Sequence, residues 1–425
     1  GGLMLCAAGL ALVAAALFST TANGARVAAV LAAVAIAAPF VHMPNYFDFT
    51  QHVDKRGLKE ALEQGRGEFV RWDPISKINI IDETWTPAIS VPWHLSGDRK
   101  AIQYDGGNQT SYFYKFDGDL DKLRHLMDTD RSHLTDHFWN IGVLASHYLK
   151  RDSNQNVLVI GSAGGQETKA ALVYGAKHVD SVELVPTVVE LGTGKYASYI
   201  GNIFKNPRVH VEAGEGRSFV RHSGKLYDII EIFSNHTSSS IAQGTGAVSP
   251  VYLQTAEAYE EYFSHLTANG VLHINHHVYP RMITTAALAW KKMGRTDFAK
   301  HVAIWNSPSD KSLPTMLIKM QPWTQAEFDE INAFLTSKDN TPDQQLTLAE
   351  NPIDPSHNFL SPVFYSGDFP DSLAKSMPVY VTPRTDDLPF FGNLRKSMKE
   401  LKADPANYLD EGTAFIENIM MTKGI

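Results

Sequence analysis

The sequence predicts an α/β protein: a doubly wound, mostly parallel sheet with helices on both faces, preceded by a small β-rich domain and an N-terminal hairpin of two apolar helices. Three observations carry this reading. From residue 156 onward, short apolar runs alternate with helical patterns. The first of those runs ends in a glycine-rich turn, Gly161-Ser162-Ala163-Gly164-Gly165. At the start of the chain, no Asp, Glu, Lys or Arg occurs from Gly1 to Ala25.

Composition sets the bounds. A chain of 425 residues is long enough for two or three domains. With 44% apolar and 20% charged residues it builds a packed core. A net charge of −8 argues against a general nucleic-acid binder. The single cysteine, Cys6, excludes an intramolecular disulfide and any cysteine-cluster metal site.

Leu3 to Phe18 and Val27 to Val41 are almost wholly apolar, and Ser19 to Arg26 is a polar turn between them. A membrane span needs about 20 apolar residues, so residues 1–45 are read as a transmembrane hairpin near the short limit. The alternatives are a signal peptide, against which two successive segments and the missing initial Met count, or buried helices. Gly1-Gly2 lies inside apolar sequence, so further residues are expected upstream. Lys55, Arg56 and Lys59 follow the second segment, whereas the turn holds Arg26 alone. The positive-inside rule then places the protein in the inner membrane, with its large part facing the cytoplasm.

Residues 46–150 are expected to form a β-rich lid and a linking helix. Residues 57–65 read as a short helix, and 77–81 and 101–116 as strands, with Asp105-Gly106-Gly107 as a turn. Leu134, Phe138, Ile141, Leu144, Ala145 and Tyr148 recur at helical spacing, predicting a helix over 133–149. Residues 151–322 are assigned to the wound sheet. Its strands are expected at 157–160, 179–184, 209–211, 227–233 and 270–275, with an added edge at 301–306 and 315–320. Helices are expected from Gln166 to Tyr174, Pro186 to Ile200, Pro250 to Leu266, and over 281–296. Residues 323–425 form a C-terminal extension, with a helix over 323–336 and an irregular stretch over 337–385.

Ligands of a wound sheet bind beyond the carboxyl ends of its strands. The small residues Gly161, Ser162, Gly164 and Gly165 let a ligand approach the backbone. Glu183 ends the second strand, where a carboxylate accepts hydrogen bonds from both ribose hydroxyls. Glu215 follows the third strand, where an acid accepts from an adenine amino group. Glycine after a strand is common turn chemistry, and a strand-end Glu is more often solvated than functional. The three features in order make a nucleoside site. The turn lacks the G-x-G-x-x-G spacing that seats a pyrophosphate, which disfavours an NAD-linked oxidoreductase. It favours a phosphate-free nucleoside whose cationic sulfonium suits a pocket with carboxylates, namely S-adenosylmethionine.

Val157 to Gly165, Val182-Glu183-Leu184 and Gly214-Glu215-Gly216-Arg217 resemble the spermidine synthase (polyamine aminopropyltransferase) family. The resemblance is to its bacterial membrane-fused subgroup, which Tyr252 to Tyr259 and Thr385 to Phe391 also resemble. It implies a class I methyltransferase-like (Rossmann-like) domain, and S-adenosylmethionine or its decarboxylated form as donor substrate. It also implies that Glu183 holds the ribose, Glu215 the adenine end, and that Gln109 lines the pocket from the lid. The family's turn usually reads G-G-G-D-G, its Asp facing the donor's propylamine; Gly164 stands in that place. The family's D-S-S-D after the fourth strand is replaced by Phe233-Ser234-Asn235-His236, and its acidic tyrosine-histidine-glutamate patch by Phe138-Trp139-Asn140. A cationic polyamine needs carboxylates to replace its hydration, so ordinary spermidine synthesis is disfavoured.

Asn235 and His236 are the candidate catalytic residues, His236 as a base titrating near neutral pH or else a plain loop residue. His273, His276 and His277 do not make a metal set, since neighbours on a strand face opposite sides, and no metal is expected. Asp386-Asp387 reads as a helix N-cap ahead of the aromatic anchor Pro389-Phe390-Phe391. The expected activity is alkyl transfer, aminopropyl or methyl, to a small-molecule acceptor by a membrane-anchored enzyme. The alternative is a catalytically silent accessory subunit of a membrane complex. Expected partners are therefore the lipid bilayer, other membrane-complex subunits and the acceptor, with no nucleic acid.

Overall fold

The computed structural model describes residues 2–37, 56–83, 98–105, 109–233, 250–275, 279–308, 314–377 and 380–390. The chain divides into two compact units, Gly1–Lys59 and Glu60–Ile425.

The first unit holds α1 (Gly2–Leu17) and α2 (Ala22–Ala37). They form a hairpin whose turn is tied by the Gly24 N–H donating to Thr21 Oγ1 at 3.2 Å. The helices pack closely: a Cβ on Gly9 would lie 2.5 Å from Ile36 Cγ1. Each helix has 16 described residues, about 24 Å at 1.5 Å per residue. Among the described residues, no helix is long and apolar enough to cross a membrane. The described part of the expected transmembrane hairpin is a short apolar hairpin, with Leu17 and Phe18 exposed at its turn, and the end of its second segment, 38–41, lies outside the described residues.

Helix α3 (Arg56–Glu63) leads to an antiparallel meander in the order β1-β2-β3-β4. Its strands are Gly67–Trp72, Lys77–Asp82, Arg99–Tyr104 and Gln109–Tyr114. Strand β1 is not foreseen in the sequence because it is an almost fully exposed edge with no apolar alternation. Ile78, Ile80, Ile102 and Phe113 are buried in the same core as the large sheet, so this lid is not a separate body.

The large sheet contains β5 (Asn156–Ile160), β6 (His178–Glu183), β7 (Val209–Ala213), β8 (Tyr227–Phe233), β9 (Leu266–Asn275), β10 (Val302–Asn306), β11 (Thr315–Lys319) and β12 (Thr347–Glu350). Its order is β12-β10-β11-β9-β8-β5-β6-β7. The pairs β5–β6, β6–β7, β5–β8 and β8–β9 are parallel, and β11 is antiparallel to both of its neighbours. Counted from β5, the order is 3-2-1-4-5-7-6-8; the first seven strands, with the seventh reversed, make the class I methyltransferase-like arrangement, and β12 adds an edge. Alternate residues serve opposite faces: Val157 and Val159 join one core, Leu158 and Ile160 the other. That double burial is why the run is continuously apolar.

The further described helices of this unit are α4 (Leu120–Thr129), α5 (Ala145–Leu149), α6 (Gln166–Val173), α7 (Pro186–Thr193), α8 (Gly216–Ser223), α9 (Ala256–Ser264), α10 (Tyr279–Lys292), α11 (Gln325–Thr336) and α12 (Asp371–Ser376). Helix α4, capped by Asp119, is not foreseen. The expected helix over 133–149 breaks into two 3-10 turns and α5. Distant side chains take its backbone donors: Gln166 Oε1 accepts from the Trp139 N–H at 2.8 Å, and Gln344 Oε1 from the Ile141 N–H at 2.9 Å. The helix expected from Pro250 begins at Ala256, because Thr255 caps it.

Candidate functional site

The site lies where the parallel strands end. Gly161 has φ +82° and Gly165 φ +84°, the left-handed region that glycine adopts without strain. The Gly161 N–H donates to the Val182 carbonyl at 2.8 Å, holding the turn against β6. Gly165 caps α6, and a Cβ there would meet Ile203 Cδ1 at 2.5 Å. Ser162 is buried, its Oγ without a hydrogen-bond partner among the described residues.

Glu183 ends β6 and is 5% exposed. Its Oε2 accepts from the Ala163 N–H at 2.9 Å, and its Oε1 from the Val185 N–H at 3.0 Å. Burial raises its pKa, and the backbone N–H groups of Val185, Ala163 and Leu184 oppose that rise. A carboxylate offers about four acceptor positions, so these backbone contacts still leave capacity for a hydroxyl. The carboxylate is thus oriented by the turn expected to cradle the ligand.

Glu215 stands at the next strand end. Glu183 pairs with Ala213, and the Gly214 N–H donates to the Glu183 carbonyl at 2.9 Å. The exposed Glu215 carboxylate caps α8, accepting from the Arg217 N–H at 3.0 Å and from the Ser218 N–H and hydroxyl at 2.8 Å each. A surface groove of about 370 Å³ beside it is lined by Gly214, Glu215, Ser218, Phe219 and His222. The structure therefore places Glu183, Glu215 and the glycine turn at neighbouring strand ends, while the Glu215 carboxylate serves its own helix beside a groove that neither Glu183 nor the turn lines.

Gly164 explains the departure at that position. A Cβ there would lie 1.8 Å from the Tyr112 carbonyl oxygen, so β4 presses directly on the turn and leaves no room for a side chain. The Tyr112 ring stacks on Trp139, with centroids 5.5 Å apart and planes at 9°. The Arg99 guanidinium lies 4.5 Å from the Tyr112 ring centre, and its Nε donates to Glu83 Oε2 at 3.0 Å. Gln109 pairs with Tyr104 at the start of β4. Asn235 and His236, like His276 and His277, lie outside the described residues.

Sequence reasoning misses a buried polar cluster beneath the turn. His147 Nε2 and Glu231 Oε2 are 2.8 Å apart, and both side chains are fully buried. Burial pushes the His147 imidazole down to about 3 and raises the Glu231 carboxyl well above its usual range, so the pair is a neutral hydrogen bond. His273 Nδ1 joins Ser146 Oγ at 3.0 Å, and its Nε2 lies 3.1 Å from Asn275 Nδ2. Glu167, in the first turn of α6, is buried and also raised, by desolvation and then by Glu231. The available signal was Glu231 itself, which interrupts the apolar run of β8.

The N-cap expected at Asp386 is corrected. Its carboxylate receives Arg217 Nη1 at 2.7 Å, Arg217 Nη2 at 2.9 Å and the Thr255 hydroxyl at 2.7 Å. The C-terminal segment is thereby clamped against α8 and α9.

No family model matches the chain. A polyamine aminopropyltransferase from Alkaliphilus metalliredigens (strain QYMF) is 31% identical over 119 residues, 28% of this chain and 38% of the relative. A second, from Alkaliphilus oremlandii (strain OhILAs), is 31% identical over 127 residues, 30% of this chain and 41% of the relative. Over these stretches the chain is similar to polyamine aminopropyltransferases. The match spans about two fifths of the length of these relatives. Among solved structures, the chain is similar to a spermidine synthase in complex with the transition state analogue AdoDATO. That likeness has 16% identity and TM-score 0.41, covering 72% of this chain and 87% of that one. The spermidine synthase from Thermotoga maritima gives 17% identity, TM-score 0.41 and the same coverage. Human methyltransferase-like protein 13 in complex with SAH gives 16% identity and TM-score 0.34, covering 48% of this chain and 89% of that one.

Proposed function

We propose that the chain is a transferase that binds S-adenosylmethionine or its decarboxylated form at the carboxyl ends of β5 to β7 and passes an alkyl group to a small-molecule acceptor. The observation that supports this most is the Glu183 carboxylate, buried and fixed by the Ala163 and Val185 N–H groups beside the glycine turn. It presents an acceptor pair to ribose hydroxyls at the place where wound sheets bind nucleosides. In the reaction, the acceptor's lone pair attacks a carbon bonded to the sulfonium. The carbon–sulfur bond breaks, its electron pair stays on sulfur as a neutral thioether, and the acceptor's proton passes to a base. Catalysis is then largely alignment plus proton removal, with His236 the proposed base and Asn235 beside it the other proposed catalytic residue.

The apolar hairpin α1–α2 is the proposed contact with a lipid bilayer, at the inner membrane with the catalytic unit on the cytoplasmic side. A second reading, an accessory subunit that keeps the fold without the chemistry, draws on Gly164 and Phe233 standing where the family places carboxylates.

Calorimetric titration with 5′-methylthioadenosine tests the donor reading. The protein binds it, and Glu183→Gln weakens binding by tenfold or more, because a charged acceptor is lost from a buried site. Unchanged affinity in Glu183→Gln overturns the assigned pocket. Donor binding without turnover across acceptor pools favours the accessory reading.

A further inference from the structure

We infer that Arg99 and Tyr114 form a carboxylate-binding pair over the glycine turn, and that the carboxylate they hold is the one on the methionyl end of S-adenosylmethionine. This rests on the donor reading above and deepens it: it assigns the carboxylated donor rather than the decarboxylated one.

The two residues are direct cross-strand partners on β3 and β4, so their side chains share one face of the lid. Both are buried, Arg99 at 9% and Tyr114 at 2% exposure. Arg99 spends its Nε on Glu83 and lays its guanidinium against Tyr112. Its Nη1 is buried without a hydrogen-bond partner, and so is the Tyr114 hydroxyl. Two neighbouring buried donors left unsatisfied are uncommon in folded proteins and call for an occupant. Both remain donors near neutral pH. Guanidinium does not deprotonate, and burial drives the Tyr114 phenol far above its usual value.

Charge and shape select the occupant. Beside its pair with Glu83, Arg99 keeps a cationic donor, and with the Tyr114 hydroxyl the two remaining donors suit a group with two acceptor oxygens. A carboxylate accepts one hydrogen bond from each donor. The place suits the donor's amino-acid end. Tyr112, two residues before Tyr114 on β4, presses its carbonyl on Gly164, and Glu167 of α6 is near enough to Tyr114 to influence it. Decarboxylated donor lacks the group that would satisfy either atom. The transferred group is then methyl, or a chain that still carries the carboxylate, rather than aminopropyl.

Calorimetry on the full chain with S-adenosylmethionine, decarboxylated S-adenosylmethionine and 5′-methylthioadenosine tests this. The wild type binds S-adenosylmethionine at least tenfold more tightly than the decarboxylated form. Tyr114→Phe removes only an unpartnered oxygen, so the fold survives. It cuts that preference roughly three- to tenfold and leaves methylthioadenosine affinity unchanged. Equal affinity for the two donors in the wild type, as a carboxylate borne by the acceptor would give, overturns the assignment. So does a preference that Tyr114→Phe leaves intact. Methylthioadenosine binding with no donor preference sinks this inference alone. Failure of all three nucleosides to bind sinks the donor reading with it.

Discussion

Gly164→Ala isolates the contact between lid and turn. Gly164 is not among the positive-φ glycines, so alanine meets no backbone strain there. Its new Cβ would sit 1.8 Å from the Tyr112 carbonyl oxygen, 2.5 Å from the Tyr112 carbonyl carbon and 3.1 Å from the Phe113 nitrogen. Relief to a tolerable separation moves β4 by about 1.5 Å. The strand cannot move freely. It is paired with β3 along its length, and Phe113 is fully buried in the shared core. Overpacking of this kind costs about 1–3 kcal/mol, and the upper half of that range applies because the atom met is backbone. The unfolded chain works the other way, since glycine to alanine alone stabilises by about 0.4–1 kcal/mol. The net loss is therefore about 1–2.6 kcal/mol, read as a lower urea midpoint, together with weaker methylthioadenosine binding as the lid is displaced. A variant as stable as the wild type, with unchanged nucleoside affinity, refutes the packing of β4 on the turn.

Three further outcomes follow from the geometry. Glu215→Ala removes the α8 cap and lowers stability by about 0.5–2 kcal/mol in urea titrations; a variant as stable as the wild type contradicts the capping role. His147 is held at about 3 by burial, below its unfolded value of about 6.5. The unfolded chain thus takes up a proton that the folded one refuses, and stability present above pH 6.5 falls as pH drops toward 3. The loss at pH 4.5 is about 2–3 kcal/mol, and His147→Gln shows a correspondingly shallower decline between pH 7.5 and 4.5; an equal slope in both proteins speaks against this burial. If α1–α2 contacts lipid, the chain co-sediments with anionic liposomes and a protein lacking residues 1–37 does not; equal sedimentation of both removes the hairpin from that role.

The wound sheet was legible because its central strands are buried on both faces. Val157 to Ile160 has no polar position to obscure it, and Gly161, Gly165 and Glu183 occur where strand ends demand small or acidic residues. What escaped depends on long-range contacts. The helix expected over 133–149 is broken by Gln166 and Gln344, and Asp386 is claimed by Arg217, 169 residues away, rather than by a local helix. Strand β1 escaped because its side chains face water. The lid's donors could not be read either. Arg99 and Tyr114 look like ordinary strand residues until pairing sets them opposite each other with buried atoms to satisfy.

The most direct measurement is a structure of the chain soaked with 5′-methylthioadenosine. The ribose hydroxyls are expected within hydrogen-bond distance of the Glu183 carboxylate, with the thioether end toward Gly164 and β4. A nucleoside bound elsewhere, or a ribose directed away from Glu183, contradicts the account.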